Sequence, residues 1–269
     1  MRSVLKYPGS KWRIAKWIVS RIPNHHSYVE PFFGSGAILL NKAPSAIETV
    51  NDLDFNVCNL FRCIQTDSQR LASIVAMIPY SRSEYDETYN LNIEETDSFK
   101  KAARFLVQCW QGHGFRTNGY KVGWKSDVQG RENMYAVYNW YRLPEWIIGI
   151  VDRLKQVQIE NQPATEVIKR FWYPNVFLYL DPPYLLGTRT AKQYKYEMTD
   201  QDHRDLLQLI KQFPGKVMIS GYENEMYNLF LDGWVKESTK GYVEYNGADK
   251  KEVIWMNYRP MEIQMTLLA

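Results

Sequence analysis

The chain has 269 residues, a formal net charge of +3 and 45% apolar residues. This length suits one large domain or a domain with an insertion, and the small charge permits a nucleic-acid partner without requiring one. Three cysteines without CxxC or Cys/His spacing argue against a disulfide framework and against zinc, and no apolar stretch has the length of a signal peptide or a membrane span. We therefore expect a soluble, cytoplasmic protein with no metal and no membrane partner.

The chain opens with a Pro-Gly turn between basic residues at positions 5–11 (LKYPGSK), and a helical pattern follows from Trp12 to Ile22. A Gly-Ser-Lys turn that leads into a helix favours an anionic group at the helix N-terminus. The GxxxxGK[ST] motif of a P-loop is absent. Taken alone, this stretch is better explained as a capped surface helix.

A short strand, a glycine turn and a predicted helix start follow over residues 28–41. Gly34 and Gly36, at alternate positions, permit a tight turn and a close approach of a ligand to the backbone. Asp52 then stands at the end of a second predicted strand, where nucleoside-binding α/β folds hold ribose hydroxyls. This order of elements indicates an adenosine-type cofactor.

Residues 55–154 have a different character, with predicted helices over 55–64, 71–78 and 99–110. The loop of residues 111–125, called here the 111–125 loop, alternates glycines with basic and aromatic residues. Cations for phosphates and planar rings for stacking suit a nucleic-acid surface. An aromatic-rich subdomain core with solvated charges is the alternative. The segment contains no repeat, and we interpret it as an insertion within one fold.

The α/β alternation resumes after residue 154, with strands predicted over 157–161, 176–180 and 216–220 and a helix over 202–212. Between them, residues 185–198 lack a strong period and predict a mobile basic loop over the site. The last predicted element is a hairpin that pairs 242–245 with 252–258.

The most informative stretch is the apolar run of residues 176–180, which ends in Asp181-Pro182-Pro183-Tyr184. Such a run is typical of a strand buried on both faces of a parallel sheet, and ligand chemistry lies at the carboxyl ends of these strands. The two prolines stiffen the chain after Asp181 and remove two backbone donors. A strand that merely enters a proline turn is the plainer alternative.

In this order, the motifs LKYPGSK, EPFFGSG, Asn51-Asp52 and Asp181-Pro182-Pro183-Tyr184 resemble those of the Dam-type (D12 class, alpha group) adenine-specific DNA methyltransferases. The resemblance implies an α/β fold, with a Rossmann-like class I methyltransferase sheet and an inserted, mostly helical DNA-recognition domain. It divides the chain into a first catalytic part (1–54), a target-recognition domain (55–155) and a second catalytic part (156–269).

The resemblance also implies roles for individual residues. The contacts to S-adenosyl-L-methionine are Tyr7, Lys11, Phe32, Gly34, Gly36, Asp52 and Asp181, and the catalytic residues are Asp181, Pro182 and Tyr184. The expected partner is double-stranded DNA with a flipped-out adenine, and a cognate restriction endonuclease is conceivable. The candidate DNA contacts in the 111–125 loop are Arg116, Asn118, Lys121, Trp124 and Lys125, of which Arg116 is the preferred base contact.

The chemistry of the residues agrees with this assignment. The amino nitrogen of adenine is a weak nucleophile because its lone pair is delocalised, and the Asp181 carboxylate and the Pro182 carbonyl are two acceptors suited to localise it. Two alternatives remain open: a methyltransferase of another planar amine, such as an RNA base or a protein glutamine, and a non-catalytic DNA-binding module with the same fold. The first usually carries Asn before Pro-Pro-Tyr.

Overall fold

The computed structural model describes residues 1–90, 95–126, 135–188, 192–240 and 251–260. The strands in these ranges are β1 (Ser27–Glu30), β2 (Ile47–Asn51), β3 (Val157–Glu160), β4 (Val176–Leu180), β5 (Lys216–Tyr222), β6 (Val235–Lys240) and β7 (Lys251–Met256). They form one sheet in the order β3-β2-β1-β4-β5-β7-β6. The first five strands in this order are parallel, whereas β7 is antiparallel to both β5 and β6. The predicted Rossmann-like α/β fold is thereby confirmed.

The helices are α1 (Ala15–Val19), α2 (Phe55–Met77), α3 (Arg82–Glu87), α4 (Ser98–Gln111), α5 (Tyr135–Gly149), α6 (Val151–Leu154), α7 (Ala164–Arg170), α8 (Asp200–Lys211) and α9 (Glu225–Phe230). None of the helices in the described ranges is long and apolar enough to cross a membrane. Helices α2 to α6 all lie between β2 and β3 in the chain, which is where the insertion was predicted. The division into three domain segments stays a prediction.

Side chains on the two faces of the sheet enter two separate cores. Tyr28, Val50 and Phe177 pack on one face with α2, α4 and α5. Val29 and Leu178 pack on the other face with α7 and α8. The helices between β2 and β3 therefore share a hydrophobic core with the sheet, and the burial of both faces explains why β4 is an uninterrupted apolar run.

The prediction of a helix start at residues 37–41 was wrong. These residues form consecutive turns, with bonds that span three or four residues, such as Asn41 N to Ile38 O and Leu40 N to Gly36 O. The helices predicted over 55–64 and 71–78 are both present as parts of α2, on either side of a kink at Asp67. The hairpin strand that pairs with β7 is Val235–Lys240, and the predicted partner at 242–245 lies outside the described residues.

A buried ion cluster fixes the end of the sheet opposite the carboxyl edge. Glu48 of β2 is 3% exposed and accepts hydrogen bonds from Lys42, at 2.5 Å, and from both terminal nitrogens of Arg153. Its carboxylate also accepts the backbone N–H of Ser45 at 3.1 Å. The cluster thus ties α6 and the 37–45 turn region to the start of β2. Burial raises the pKa of Glu48, but Arg153 and Lys42 outweigh it and hold this pKa below its usual value.

We expect Glu48→Ala to lower the free energy of unfolding by about 3–5 kcal/mol, because it leaves two buried cations without their carboxylate. Chemical denaturation measures this change. Asp152→Ala, which breaks an exposed pair with Lys155, is the matched control and should leave the denaturation midpoint unchanged. Equal effects of the two substitutions would contradict the assigned role of Glu48.

Candidate active site

The carboxyl ends of β1, β2 and β3 are joined by one buried side chain. Asn51, at the end of β2, donates from Nδ2 to the Pro31 carbonyl at 2.9 Å and to the Gln162 carbonyl at 3.0 Å. Its Oδ1 accepts the Gln162 N–H at 2.9 Å. Three loops that are distant in sequence are therefore held at one edge of the sheet, where parallel α/β sheets bind their ligands.

The glycine turn after β1 is shaped by Asp52. The Asp52 carboxylate accepts the backbone N–H groups of Gly34 and Asp54, each at 2.8 Å. Gly34 has a φ of +49°, which favours glycine, and a Cβ there would lie 3.3 Å from the Tyr7 ring. Asp52, which was predicted to bind ribose, therefore also fixes the conformation of the glycine turn after β1.

A cavity of about 420 Å³ opens at this edge of the sheet, and its volume lies in the range of small-molecule sites. Six of the residues predicted to bind the cofactor line it: Tyr7, Lys11, Phe32, Gly34, Asp52 and Asp181. Gly36 does not line it. A Cβ at Gly36 would lie 2.8 Å from the Phe33 ring, so this glycine, with a φ of +68°, permits a close contact behind the turn.

Part of the cavity wall was not predicted from the sequence. Further lining residues are Leu53, Pro163, Ala164, Tyr194, Met198 and Asp202. Pro163 and Ala164 directly follow the β3 region, so the predicted strand over 157–161 was the available signal for them. The wall formed by residues 194–198 lies in the segment predicted to cover the site. Residues 189–191 of that segment lie outside the described residues.

The cavity is strongly acidic. Among the described residues that line it, the carboxylates are Glu30, Asp52, Asp54, Asp181, Glu197, Asp202 and Asp205, whereas Lys11 supplies a positive charge. Burial raises the pKa of Asp52 to about 7 and that of Glu30 to about 8. Tyr28 donates to the Glu30 carboxylate at 2.7 Å. A wall of this composition favours a cationic ligand and disfavours a phosphate-bearing one.

Asp181, directly after β4, is held by two side chains at the edge of the cavity. Its Oδ2 is 3.0 Å from Lys11 Nζ, and its Oδ1 accepts a hydrogen bond from Ser220 of β5 at 2.8 Å. Lys11 is 4% exposed and donates also to the Gly9 carbonyl at 2.6 Å. Burial lowers the pKa of Lys11, but Asp181 and Glu252 outweigh it and raise this pKa above its usual value. Lys11 is therefore a charged partner of Asp181 as well as part of the cavity wall.

Tyr184 lies beside this pair. Its hydroxyl donates to Glu252 of β7 at 2.6 Å, and its ring meets the edge of the Tyr222 ring with centroids 4.6 Å apart. The Lys11 ammonium lies 4.7 Å from the centre of the same ring. Pro182 is buried, and Pro183 lines the cavity. The motif predicted from the sequence is thus assembled around Asp181 by residues from the opening turn, β5 and β7.

The candidate DNA residues of the 111–125 loop have different surroundings. Arg116 is half-exposed, with its guanidinium over the Tyr120 ring, and Lys121 pairs with Asp86 at 2.7 Å. Trp124 packs against Tyr80, as expected for a subdomain core. Lys125 is half-buried, with its backbone N–H bonded to the Gln111 carbonyl, and the side chain of Asn118 donates to the Lys192 carbonyl at 3.1 Å.

A mostly parallel sheet with an acidic cavity at its carboxyl edge, and an Asp-Pro-Pro-Tyr motif beside that cavity, defines a Rossmann-like methyltransferase. Residues 7–244 match the sequence profile of the D12 class N6 adenine-specific DNA methyltransferases. The chain therefore belongs to this family, and its enzyme class is adenine-specific DNA methyltransferase. Membership favours DNA over the RNA and protein substrates that the sequence left open.

Curated relatives agree with the family. The chain is 24% identical to the type II methyltransferase M.MjaIII of Methanocaldococcus jannaschii, over 96% of this chain and 99% of that protein. It is 23% identical to the type II methyltransferase M1.LlaDCHI of Lactococcus lactis subsp. cremoris, over 96% of each chain. A shorter match, 27% identical over 41% of this chain and 16% of the relative, is to the DNA N-6-adenine-methyltransferase of Escherichia phage P1.

The raised pKa values predict how stability depends on pH. The usual values are 3.8 for Asp52 and 4.5 for Glu30, so between about pH 5 and 8 the folded state holds protons that the unfolded chain has lost. We therefore expect these two groups to make the free energy of unfolding fall as the pH rises from about 5 to 8, and to stop contributing to the pH dependence above that range. Thermal unfolding at several pH values measures this.

Asp52→Asn should reduce the fall of the free energy of unfolding with rising pH, because an amide does not titrate. Asp232→Asn, at an exposed carboxyl outside the cavity wall, should retain the decline of the unaltered protein. An Asp52→Asn variant that keeps the full pH dependence would contradict the raised pKa of Asp52.

Proposed function

We propose that this protein transfers a methyl group from S-adenosyl-L-methionine to the exocyclic amino nitrogen of an adenine that is flipped out of double-stranded DNA. The observation that carries the proposal is the placement of Asp181. Its carboxylate stands at the edge of the acidic cavity and is oriented by Lys11 and Ser220. Family membership gives the reaction class, and this geometry suggests which atoms perform it.

The cavity suits S-adenosyl-L-methionine in charge and shape. The cofactor carries a sulfonium and an ammonium against one carboxylate, which matches a wall with an excess of acids. Asp52, with two oxygens and about four acceptor sites, has capacity for ribose hydroxyls beyond the two N–H groups that it accepts. Apolar side chains such as Phe32, Leu53 and Pro163 offer a surface for the adenine ring of the cofactor. When bound, the cofactor supplies an electrophilic methyl group.

The residues of the chain act on the nucleophile. The Asp181 carboxylate and the Pro182 carbonyl each accept one N–H of the target amino group, which localises the nitrogen lone pair for attack. The nitrogen takes the methyl group as the bond from that group to sulfur breaks, and one amino proton leaves during or after the transfer. Lys11 and Ser220 each use one acceptor site of Asp181, so both of its oxygens keep capacity for a further donor. The remaining contribution is positioning, because the reacting atoms must be held in line at attack distance.

Tyr184 serves the target base in this scheme. An adenine inside a duplex does not reach a recessed carboxylate, so it leaves the stack and enters the site. Stacking on an aromatic ring contributes about 1–3 kcal/mol per base, which offsets part of the stacking energy that the base loses when it leaves the duplex. The bond from the Tyr184 hydroxyl to Glu252 and the contact with Tyr222 fix the orientation of this ring.

One experiment tests activity, target base and target sequence together. The protein is expressed in a host that lacks adenine methylation, and the modified bases of the host DNA are mapped by sequencing. The expected result is N6-methyladenine at one recurrent sequence, and unmodified DNA would contradict the proposal. A cognate restriction endonuclease stays a prediction that a search of the neighbouring reading frames can address.

We expect Asp181→Ala to lower the rate of methyl transfer by about 10²–10⁴-fold, because the oriented acceptor is lost. Transfer of labelled methyl groups to DNA measures this rate. Near-normal transfer by this variant would refute the assigned role of Asp181.

Two further variants separate the target-base site from the cofactor cavity. Tyr184→Ala should weaken transfer and leave cofactor affinity intact, whereas Asp52→Ala should reduce cofactor affinity. Asp232→Asn is the control for the loss of an exposed carboxylate and should behave as the unaltered protein.

For Arg116→Ala we expect relaxed discrimination at one position of the recognised sequence, by about 1–3 kcal/mol, because Arg pairs with guanine in the major groove. Arg116 is half-exposed in the 111–125 loop, which leaves it accessible for this contact. The measurement is the spectrum of methylated sequences. If binding weakens equally on all sequences and the spectrum is unchanged, Arg116 is a phosphate contact.

A further inference from the structure

One threonine in the 111–125 loop is buried although its surroundings are exposed. Thr117 is 9% exposed, whereas His113, Gly114 and residues 118–121 are exposed and Phe115 and Arg116 are half-buried. Polar residues are rarely this buried in a surface loop unless they are hydrogen-bonded. The contacts of Thr117 therefore show what the loop rests on.

Thr117 is bonded to the segment of residues 192–198, called here the 192–198 segment. Its backbone N–H donates to the Gln193 carbonyl at 2.8 Å, and its Oγ1 accepts the Lys195 N–H at 2.8 Å. The neighbouring Asn118 donates from its side chain to the Lys192 carbonyl at 3.1 Å. The loop with the candidate DNA contacts is thus attached to this segment at three residues, Lys192, Gln193 and Lys195.

The 192–198 segment is a wall of the cofactor cavity. Tyr194, Tyr196, Glu197 and Met198 line the cavity. The Tyr194 hydroxyl donates to the Pro8 carbonyl at 3.1 Å, and a Cβ on Gly9 would lie 2.4 Å from that hydroxyl. The Tyr194 ring also lies beside the Tyr7 ring, with centroids 6.1 Å apart. The segment therefore spans the opening turn, and its position sets the width of the cavity.

Thr117 also influences the opening turn. Burial raises the pKa of the Tyr7 hydroxyl, Asp52 and Asp54 raise it further, and the Thr117 side chain opposes them. The Thr117 hydroxyl thus joins the 111–125 loop to the 192–198 segment, and that segment contacts the opening turn through Tyr194. Each of these belongs either to the cofactor cavity or to the candidate DNA surface.

We propose that Thr117 is a positioning residue that couples contact of the 111–125 loop with DNA to binding of the cofactor in the cavity. The inference rests on the proposed function, since it takes the two ligands from there. DNA that orders the loop also orders the 192–198 segment through the Thr117 bonds, and the cofactor then meets a wall that is already in place. Because coupling between two binding sites is reciprocal, the cofactor strengthens DNA binding by the same factor.

Calorimetry with S-adenosylhomocysteine, which donates no methyl group, tests the coupling. Its affinity is measured with and without a duplex that carries the sequence mapped by the methylation experiment. For the unaltered protein we expect the duplex to tighten binding by at least about fivefold. For Thr117→Val, which keeps the shape but leaves the Lys195 N–H without its acceptor, we expect this factor to approach one.

Two variants serve as controls. Thr117→Ser retains the hydroxyl and should retain the coupling factor, which a purely steric role would not require. Thr66→Val makes the same change at an exposed position of α2 and should behave as the unaltered protein. A duplex without the mapped sequence should tighten binding less than the cognate duplex.

A coupling factor near one in the unaltered protein, or an unchanged factor in Thr117→Val, would overturn the inference. Hydrogen exchange on the unaltered protein provides a test that does not depend on the folding of a variant. The cognate duplex should slow exchange of the Lys195 amide, and unchanged exchange there would also overturn it. Failure of the proposed function is distinguishable, because the host DNA would then carry no N6-methyladenine.

Discussion

The site depends on a buried ion pair between residues that are far apart in the sequence. Lys11 is almost inaccessible to solvent, and its ammonium is 3.0 Å from the Asp181 carboxylate. A charge at this depth requires a partner, because removal of either member leaves the other uncompensated. The pair therefore fixes the opening turn against the end of β4. Ser220 extends the constraint to β5, and the ring of Tyr184 packs beside the same ammonium.

Charge separates the surfaces for two kinds of ligand. The cavity wall is dominated by carboxylates, whereas the neighbouring surface carries Arg116, Lys125 and the exposed Lys195. This difference in charge supports the proposal of a cationic methyl donor in the cavity and of DNA on the neighbouring surface. The 192–198 segment lies between the cavity and the 111–125 loop and contacts both. It is therefore the element through which binding at one of these surfaces can influence binding at the other.

The sequence-based predictions of strands and helices were accurate where the local sequence pattern was strong. The strand before Asp181 was predictable because an apolar run buried on both faces leaves little choice of structure. Residues 37–41 were wrongly predicted as a helix, because their apolar side chains are buried in succession and tertiary packing decides their path. The helices predicted over 55–64 and 71–78 are both present in α2. Asp67, at the kink between them, accepts the Arg70 N–H and so caps the second half of α2.

The sequence by itself determined the α/β class, the family and the residues that form the two ends of the site, because glycine turns, prolines and strand-terminal acids act within a few positions of one another. Only the tertiary structure decided that Lys11 is the partner of Asp181, that Gly36 lies behind the cavity, and that Thr117 joins the 111–125 loop to the cavity wall. These contacts are hydrogen bonds, ion pairs and packing between distant segments. Hydrophobic periodicity and local motifs contain no information about such distances.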